Sequence, residues 1–250
     1  MRAEIATRLT RLNQEFYQNF ADSFSSSRGA VQPGVRAMLR KYVPVGAPSV
    51  GLNLLDIGCG NGNQARELTQ AGYQGSYIGI DFAPGLLAHA AAPEKREYPA
   101  PLFLSVDITQ PGWHNNLPHA VFDLITCYAV MHHIPGSDTR ARIYREIRTL
   151  LAPRGLFLQS NWQFLNSPRL AARVQPWAAA GFSAEDVEAG DYLLDWRGES
   201  GRTGLRYVHA ADEVELTQQA AATGFEVLES LISDNGLGLY HVWQPDSTAR

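Results

Sequence analysis

The sequence predicts an α/β fold, doubly wound around a mostly parallel sheet. Three observations carry this expectation. Short apolar runs recur, and three of them end in an acid: Leu54-Leu55-Asp56, Tyr77-Ile78-Gly79-Ile80-Asp81 and Pro101 to Asp107. Segments of helical character lie between the strands, an alternation that implies parallel strands joined by right-handed crossovers. The first run also leads directly into the glycine-rich turn Gly58-Cys59-Gly60-Asn61-Gly62, with Gln64-Ala65-Arg66-Glu67-Leu68 opening a helix behind it. Strand, tight turn and helix in that order is how α/β sheets hold a nucleotide-like cofactor at the carboxyl end of the first strand.

The elements follow in order. Ile5, Leu9, Leu12, Phe16 and Phe20 recur at helical spacing, so the first twenty-odd residues form an amphipathic helix whose stripe serves core or lid packing. The polar stretch from Phe24 to Gly29 breaks it. Pro33 opens a second helix through about Tyr42, and Pro44 to Pro48 links it to the first strand. Residues 1–44 are thus a helical lid segment and 50–160 the cofactor-binding half. The fourth strand begins near Val121. A helix spans Arg140 to Leu151, with Ile143, Ile147, Leu150 and Leu151 inward and its arginines on a solvated face. Pro153-Arg154-Gly155 turns into a fifth strand over Leu156 to Gln159. Residues 161–211 form an irregular, substrate-side insert carrying Trp162, Trp177, Tyr192 and Trp196, and long connections of this kind are often binding elements or lids. Asp212 with Glu215 makes a capping pair for the last helix, which Gly224 ends. Phe225 to Ile232 and Gly238 to Trp243 make a hairpin across Asn235-Gly236 within the closing segment 212–244. The whole chain, 1–250, is expected to be one domain with a frayed tail from Asp246.

The turn has the pattern G-x-G-x-G. A dinucleotide fingerprint is G-x-G-x-x-G, and its third glycine falls here at Asn63. Asp56 repels a pyrophosphate but tolerates a cationic methionine moiety. At this point the chain resembles the Rossmann-like, class I S-adenosylmethionine-dependent methyltransferases, whose first motif commonly reads as this one does. The resemblance implies a seven-stranded sheet with an antiparallel last strand, S-adenosylmethionine as cofactor, and a cofactor site around Asp56, Gly58, Cys59, Gly60, Asn61 and Gly62. Asp81, followed by Phe82, stands at about the offset of a carboxylate that accepts hydrogen bonds from ribose hydroxyls, and it also suits a helix N-cap ahead of Pro84. The resemblance sets Asp107 and Ile108 beside the adenine; the plain alternative for Asp107 is a solvated loop acid. Cys127, Tyr128 and Ala129, at the end of the fourth strand, would let a sulfonium and its methyl group sit against backbone.

His132 and His133 follow that strand. Adjacent residues do not share a helix face, and no cysteine or carboxylate cluster completes a zinc site, so no metal is expected. One imidazole is expected to pack near the cofactor or cap a helix and the other to be solvated, with His132 as the candidate base. Neither Cys59 nor Cys127 suits a disulfide, which points to a reducing cytosol. No apolar signal core follows Met1, and no run reaches the ~18 apolar residues of a spanning helix, so the expectation is a cytoplasmic protein without a membrane partner. The net charge of −4 argues against a broad nucleic-acid footprint and leaves room for a local patch.

A narrower resemblance spans more of the chain. Phe20-Ala21-Asp22-Ser23-Phe24-Ser25-Ser26-Ser27-Arg28 and the stretch Arg206 to Leu216 are similar to segments of the tRNA wobble-uridine carboxymethyl methyltransferases, which include the methyltransferase domain of the AlkB-homologue tRNA enzymes. Val174 to Trp177 loosely echoes a third. This resemblance implies methylation of a carboxylate on tRNA, with Arg28 near the cofactor or the carboxylate, Tyr207 and His209 near the substrate, and a small zinc-binding activator as partner. Gln32-Pro33 departs from the family, which often has a tryptophan before the proline. A carboxylate is already ionised near neutral pH and needs no general base, whereas an alcohol or amine acceptor does. The competing readings are a small-molecule acceptor such as a metabolite acid or natural product, an NAD(P)-dependent oxidoreductase, which the absence of a Tyr-x-x-x-Lys pair disfavours, and a non-catalytic fold relative that only binds a partner.

Overall fold

The computed structural model describes residues 1–27, 30–90, 100–197 and 203–247, with no side chains described for 21–27. Helices α1 (Ala3–Ser27) and α2 (Pro33–Tyr42) precede an alternating run: β1 (Asn53–Ile57), α3 (Asn63–Gln70), β2 (Ser76–Asp81), α4 (Pro84–Ala90), β3 (Leu102–Ser105), β4 (Phe122–Tyr128), α5 (Ser137–Leu150) and β5 (Leu151–Trp162). A single helical turn, α6 (Pro168–Ala171), then leads to β6 (Val174–Gln175), β7 (Asp191–Arg197) and β8 (Thr203–His209). Helix α7 (Glu213–Ala222) and the hairpin β9 (Phe225–Ser233) and β10 (Gly238–Pro245) close the chain.

Seven strands make the main sheet in the order β3-β2-β1-β4-β5-β10-β9. Pairing is parallel from β3 to β5, and β10 runs antiparallel between β5 and β9. The expected mixed sheet with an antiparallel last strand is therefore present. Both faces are covered, which is why the central strands read as nearly continuous apolar runs. Successive side chains of β1 go to opposite faces. Leu55 and Ile57 join Ile143, Tyr144 and Ile147 of α5 and Leu216 of α7. Leu54 joins Val35, Met38 and Leu39 of α2 and Leu68 of α3.

The insert departs from expectation. It is not irregular: β6, β7 and β8 form an antiparallel sheet of three strands. Polar residues buried inside it hide the strand pattern, as the site shows. Helix α1 runs through Ser27, past the polar stretch expected to break it at Phe24, and β5 reaches from Leu151 to Trp162 rather than Leu156 to Gln159. Asp246 is not loose, since its N–H donates to the Gly224 carbonyl. Arg140 was expected on a solvated helix face and is instead buried, paired with Glu188 and Glu215.

Two contacts place the lid helix. The Asn13 amide of α1 donates to the carbonyls of His133 and Tyr207, and its Oδ1 accepts from the Tyr207 N–H at 2.8 Å. These bonds tie α1 across the carboxyl ends of the sheet and onto the insert.

Candidate active site

A cavity of about 150 Å³ opens where the carboxyl ends of β1, β2 and β4 meet. Its floor is the glycine turn. Gly58 sits at φ 72°, and a Cβ there would meet the Val130 side chain at 2.2 Å. Gly60 sits at φ 54°, with nothing within 4 Å of where its Cβ would project. Both positions demand glycine, the first for close packing and the second for the backbone's left-handed conformation. Asp81 holds this turn against β2. Its Oδ2 accepts from the Gly60 N–H at 3.0 Å and its Oδ1 from the Ala83 N–H at 2.9 Å. The carboxylate is nearly buried, and burial raises its pKa above the ordinary value despite those bonds. Those bonds do not exhaust the carboxylate, which has about four acceptor sites.

The walls are apolar on one side, with Phe82, Leu86, Val106 and Ile108. Asp107 and Thr109 close that side. The Asp107 carboxylate accepts from the Thr109 N–H and hydroxyl and from Gln14 of α1 at 3.0 Å. Opposite lie Tyr128 and Ala129 at the end of β4. Ala129 adopts φ 58°, a conformation that non-glycine residues rarely take, and its N–H donates to both the Ser160 carbonyl and hydroxyl.

The roof is α1, through Thr10, Asn13, Gln14 and Tyr17. The Tyr17 hydroxyl lies 2.7 Å from His133 Nε2, while His133 Nδ1 lies 3.2 Å from the Tyr207 carbonyl. A carbonyl only accepts, so Nδ1 carries a hydrogen, and in the neutral ring Nε2 then accepts from the tyrosine. Tyr17 was not among the residues expected from sequence; His133 is the imidazole that packs at the cavity, and neither histidine is solvated, since His132 is buried and His133 partly so. Polar Asn13, Gln14 and Tyr17, interleaved with the apolar stripe of α1, were the signal available.

Of the expected cofactor residues, Gly58, Gly60, Asp81, Phe82, Asp107, Ile108, Tyr128 and Ala129 line the cavity together. Asn61 and Gly62 lie in the same turn outside that lining, and both Cys59 and Cys127 are buried with thiols that burial pushes up. Asp56 is only 4% exposed and is not part of that lining. It accepts from the Tyr77 hydroxyl and from Thr126 Oγ1 at 2.9 Å, with Gln64 donating to that same Thr126. Burial pushes its pKa to about 7.

The expected substrate-side residues scatter. Arg28 lies outside the described residues. His132 is buried, with its Nδ1 accepting from the Trp162 N–H and its ring 4.3 Å from that of His133. Tyr207 and His209 lie away from the cavity, in a buried network. The Tyr207 hydroxyl donates to Asp191 at 2.6 Å, and His209 bridges Asp191 and Glu215 beside Arg140. Burial alone lowers the His209 pKa, but the two carboxylates overcome it and leave the imidazole above its ordinary value.

The family described as methyltransferase domain matches residues 6–230. This chain belongs to that methyltransferase family. A protein of Encephalitozoon cuniculi named as a methyltransferase is 27% identical over 88% of this chain and 89% of its own length. The trans-aconitate 2-methyltransferase of Methylobacterium nodulans is 29% identical over 65% of this chain and 56% of its own. Among solved structures, the 1,6-didemethyltoxoflavin-N1-methyltransferase of Burkholderia thailandensis, with its substrate and S-adenosylhomocysteine bound, superposes with a TM-score of 0.60 at 16% identity, over 99% of this chain and 92% of that one. Methyltransferases of this family use S-adenosylmethionine. The cavity fits that group: an open glycine backbone, a carboxylate with free lone pairs and an apolar slot stand side by side.

Proposed function

We propose that this methyltransferase transfers the methyl group of S-adenosylmethionine to a small acceptor bearing a carboxylate. The observation that carries the donor half is the Asp81 carboxylate, fixed by two backbone N–H groups at the rim of the glycine turn. A carboxylate so held accepts hydrogen bonds from vicinal hydroxyls with no rotamer cost at binding. Gly60 lets backbone approach a charged ligand closely. Ile108, Val106 and Phe82 form a slot for a flat aromatic group.

When bound, S-adenosylmethionine supplies an electrophilic methyl group on a cationic sulfur. The protein's part is then to position and to exclude water, which together are worth up to ~7–11 kcal/mol. Helix α1 does both, because its Asn13 and Gln14 clamp the roof to Tyr207 and Asp107. The acceptor half rests on the likeness to trans-aconitate 2-methyltransferases, whose named substrate is a tricarboxylate. The same chemistry covers a carboxymethyl group carried on tRNA, the acceptor of the family that the segments Phe20 to Arg28 and Arg206 to Leu216 resemble.

A second reading has its own support. His133, with Nδ1 held by a carbonyl and Nε2 receiving the Tyr17 hydroxyl, is arranged to take a proton, so a hydroxyl acceptor is the alternative. Incubation with labelled S-adenosylmethionine and either a panel of small carboxylic acids, a panel of phenols and alcohols, or tRNA carrying carboxymethyluridine separates the three. Methyl esters of a small acid are the expected product. Label only in ethers, or only in tRNA nucleosides, would replace this acceptor assignment.

A further inference from the structure

We propose that Arg206 is the anion anchor of the acceptor site, pairing with an acidic group of the molecule to be methylated. This rests on the carboxylate reading above. Arg206 lies on β8 and is only 8% exposed. Its Nε is sealed from solvent without a hydrogen-bond partner. Among the described residues, no carboxylate forms an ion pair with it. The other well-buried guanidinium, Arg140, 3% exposed, also has an Nε without a partner, but its end reaches the carboxylates of Glu188 and Glu215. The half-buried Arg36 and Arg142 pair with Glu67 and Glu146. A guanidinium taken out of water loses its hydration and ordinarily recovers it from a carboxylate.

Strand alternation explains the missing partner. Tyr207 and His209 share one face of the insert sheet with Asp191, and the register pairs Asp191 with His209. Arg206 points the other way, opposite Leu194 and beside Val208 on the face that packs on Phe164. The acids of β7 are therefore on the wrong side. What surrounds Arg206 instead is aromatic. Its guanidinium carbon lies 4.8 Å from the Trp162 ring and 5.5 Å from the Phe16 ring. Stacking on two rings holds the fork in place and leaves its N–H donors unspent.

The location suits an acceptor. Trp162 ends β5, and its N–H bonds to His132, whose ring lies against the cavity-lining His133. Phe16 is the neighbour of Tyr17 in the roof. Arg206 therefore sits between the lid helix and the end of β5; it is not itself in the cavity lining and is linked to it through Trp162 and His132 to His133. A planar, bidentate donor in that place selects a carboxylate over its neutral ester or amide.

The test is calorimetry on the whole chain saturated with S-adenosylhomocysteine. Malonate, citrate and trans-aconitate serve as probes, and their methyl esters as neutral controls. At least one acid is expected to bind while its ester does not. Arg206→Met is expected to weaken that acid by 10-fold or more, Arg206→Lys by less, and both are expected to bind S-adenosylhomocysteine within twofold of the parent. Equal acid affinity in parent and both variants overturns the proposal. So does a parent that binds S-adenosylhomocysteine but none of the acids, an outcome that leaves the donor site standing. A parent that binds neither removes the donor reading and this proposal with it. If Arg206→Met does not fold, Arg206→Lys decides: it must retain S-adenosylhomocysteine and discriminate acid from ester less sharply.

Discussion

Two aspartates at strand ends behave in opposite ways, and their depth along the sheet decides which. Asp81 is the last residue of β2 and reaches the cavity rim, whereas Asp56 is the penultimate residue of β1 and stays buried against Tyr77 and Thr126. The register pairs Asp56 with Gly79, two residues before Asp81, so both side chains share a sheet face; Asp81 lies beyond the last paired residue of β1, where that face opens at the cavity. Sequence shows an acid after an apolar run in both cases and cannot show where the strand stops. Asp81→Ala should cost 10- to 100-fold in S-adenosylhomocysteine affinity by calorimetry, the scale of one or two charge-assisted hydrogen bonds of ~1.5–3 kcal/mol. Asp56 is a matter of stability. Its folded pKa of about 7 lies above its ordinary 3.8, so the folded state holds the proton more tightly. Its contribution is complete below the ordinary value and is lost as pH rises through about 7. Asp56→Asn, which keeps the protonated form's shape, should therefore gain on the parent in melting temperature between pH 4 and 8. A constant difference across that range would contradict the burial argument.

At the scale of elements, α1 and the insert are one assembly. Asn13 spends its whole amide on the backbone of Tyr207 and His133. Asn13→Ala leaves those groups unsatisfied, at roughly 2–4 kcal/mol. It should raise hydrogen exchange in residues 3–20 and 203–209 ahead of the main sheet; uniform loosening would mean the helix is not docked through this residue. The network of Arg140, Asp191, His209 and Glu215 joins the insert to α5 and α7. His209 has a raised pKa, so its stabilisation is full below its ordinary value of 6.5 and fades as pH climbs through the folded one. The melting-temperature loss in His209→Asn should accordingly shrink from pH 6 to pH 9. This network is also why the insert strands were illegible. Asp191, Arg206 and His209 are buried polar residues, so β7 and β8 lack the alternation of apolar and polar positions that marks a half-buried strand. The main sheet was legible for the opposite reason: strands covered on both faces read as apolar runs between helices.

Across the whole molecule, the glycine turn announces the donor half and little announces the acceptor half. Backbone geometry at Gly58 and Gly60 leaves a local trace, because only glycine serves there. The acceptor side is assembled from α1, the end of β5 and β8, segments far apart in the chain whose meeting depends on tertiary packing. Tyr17 and His133 are over a hundred positions apart and touch only after the lid docks. The same division separates the relatives: proteins alike in sequence or in fold carry different named substrates. The central claim is that the cavity between the glycine turn and Asp81 is the methyl donor's seat. Titrating the purified chain with S-adenosylhomocysteine, alongside NAD as a control, tests it most directly. The account predicts saturable one-to-one binding of the first, weakened by Asp81→Ala, and none of the second. Heat from NAD, or none from S-adenosylhomocysteine, would contradict it.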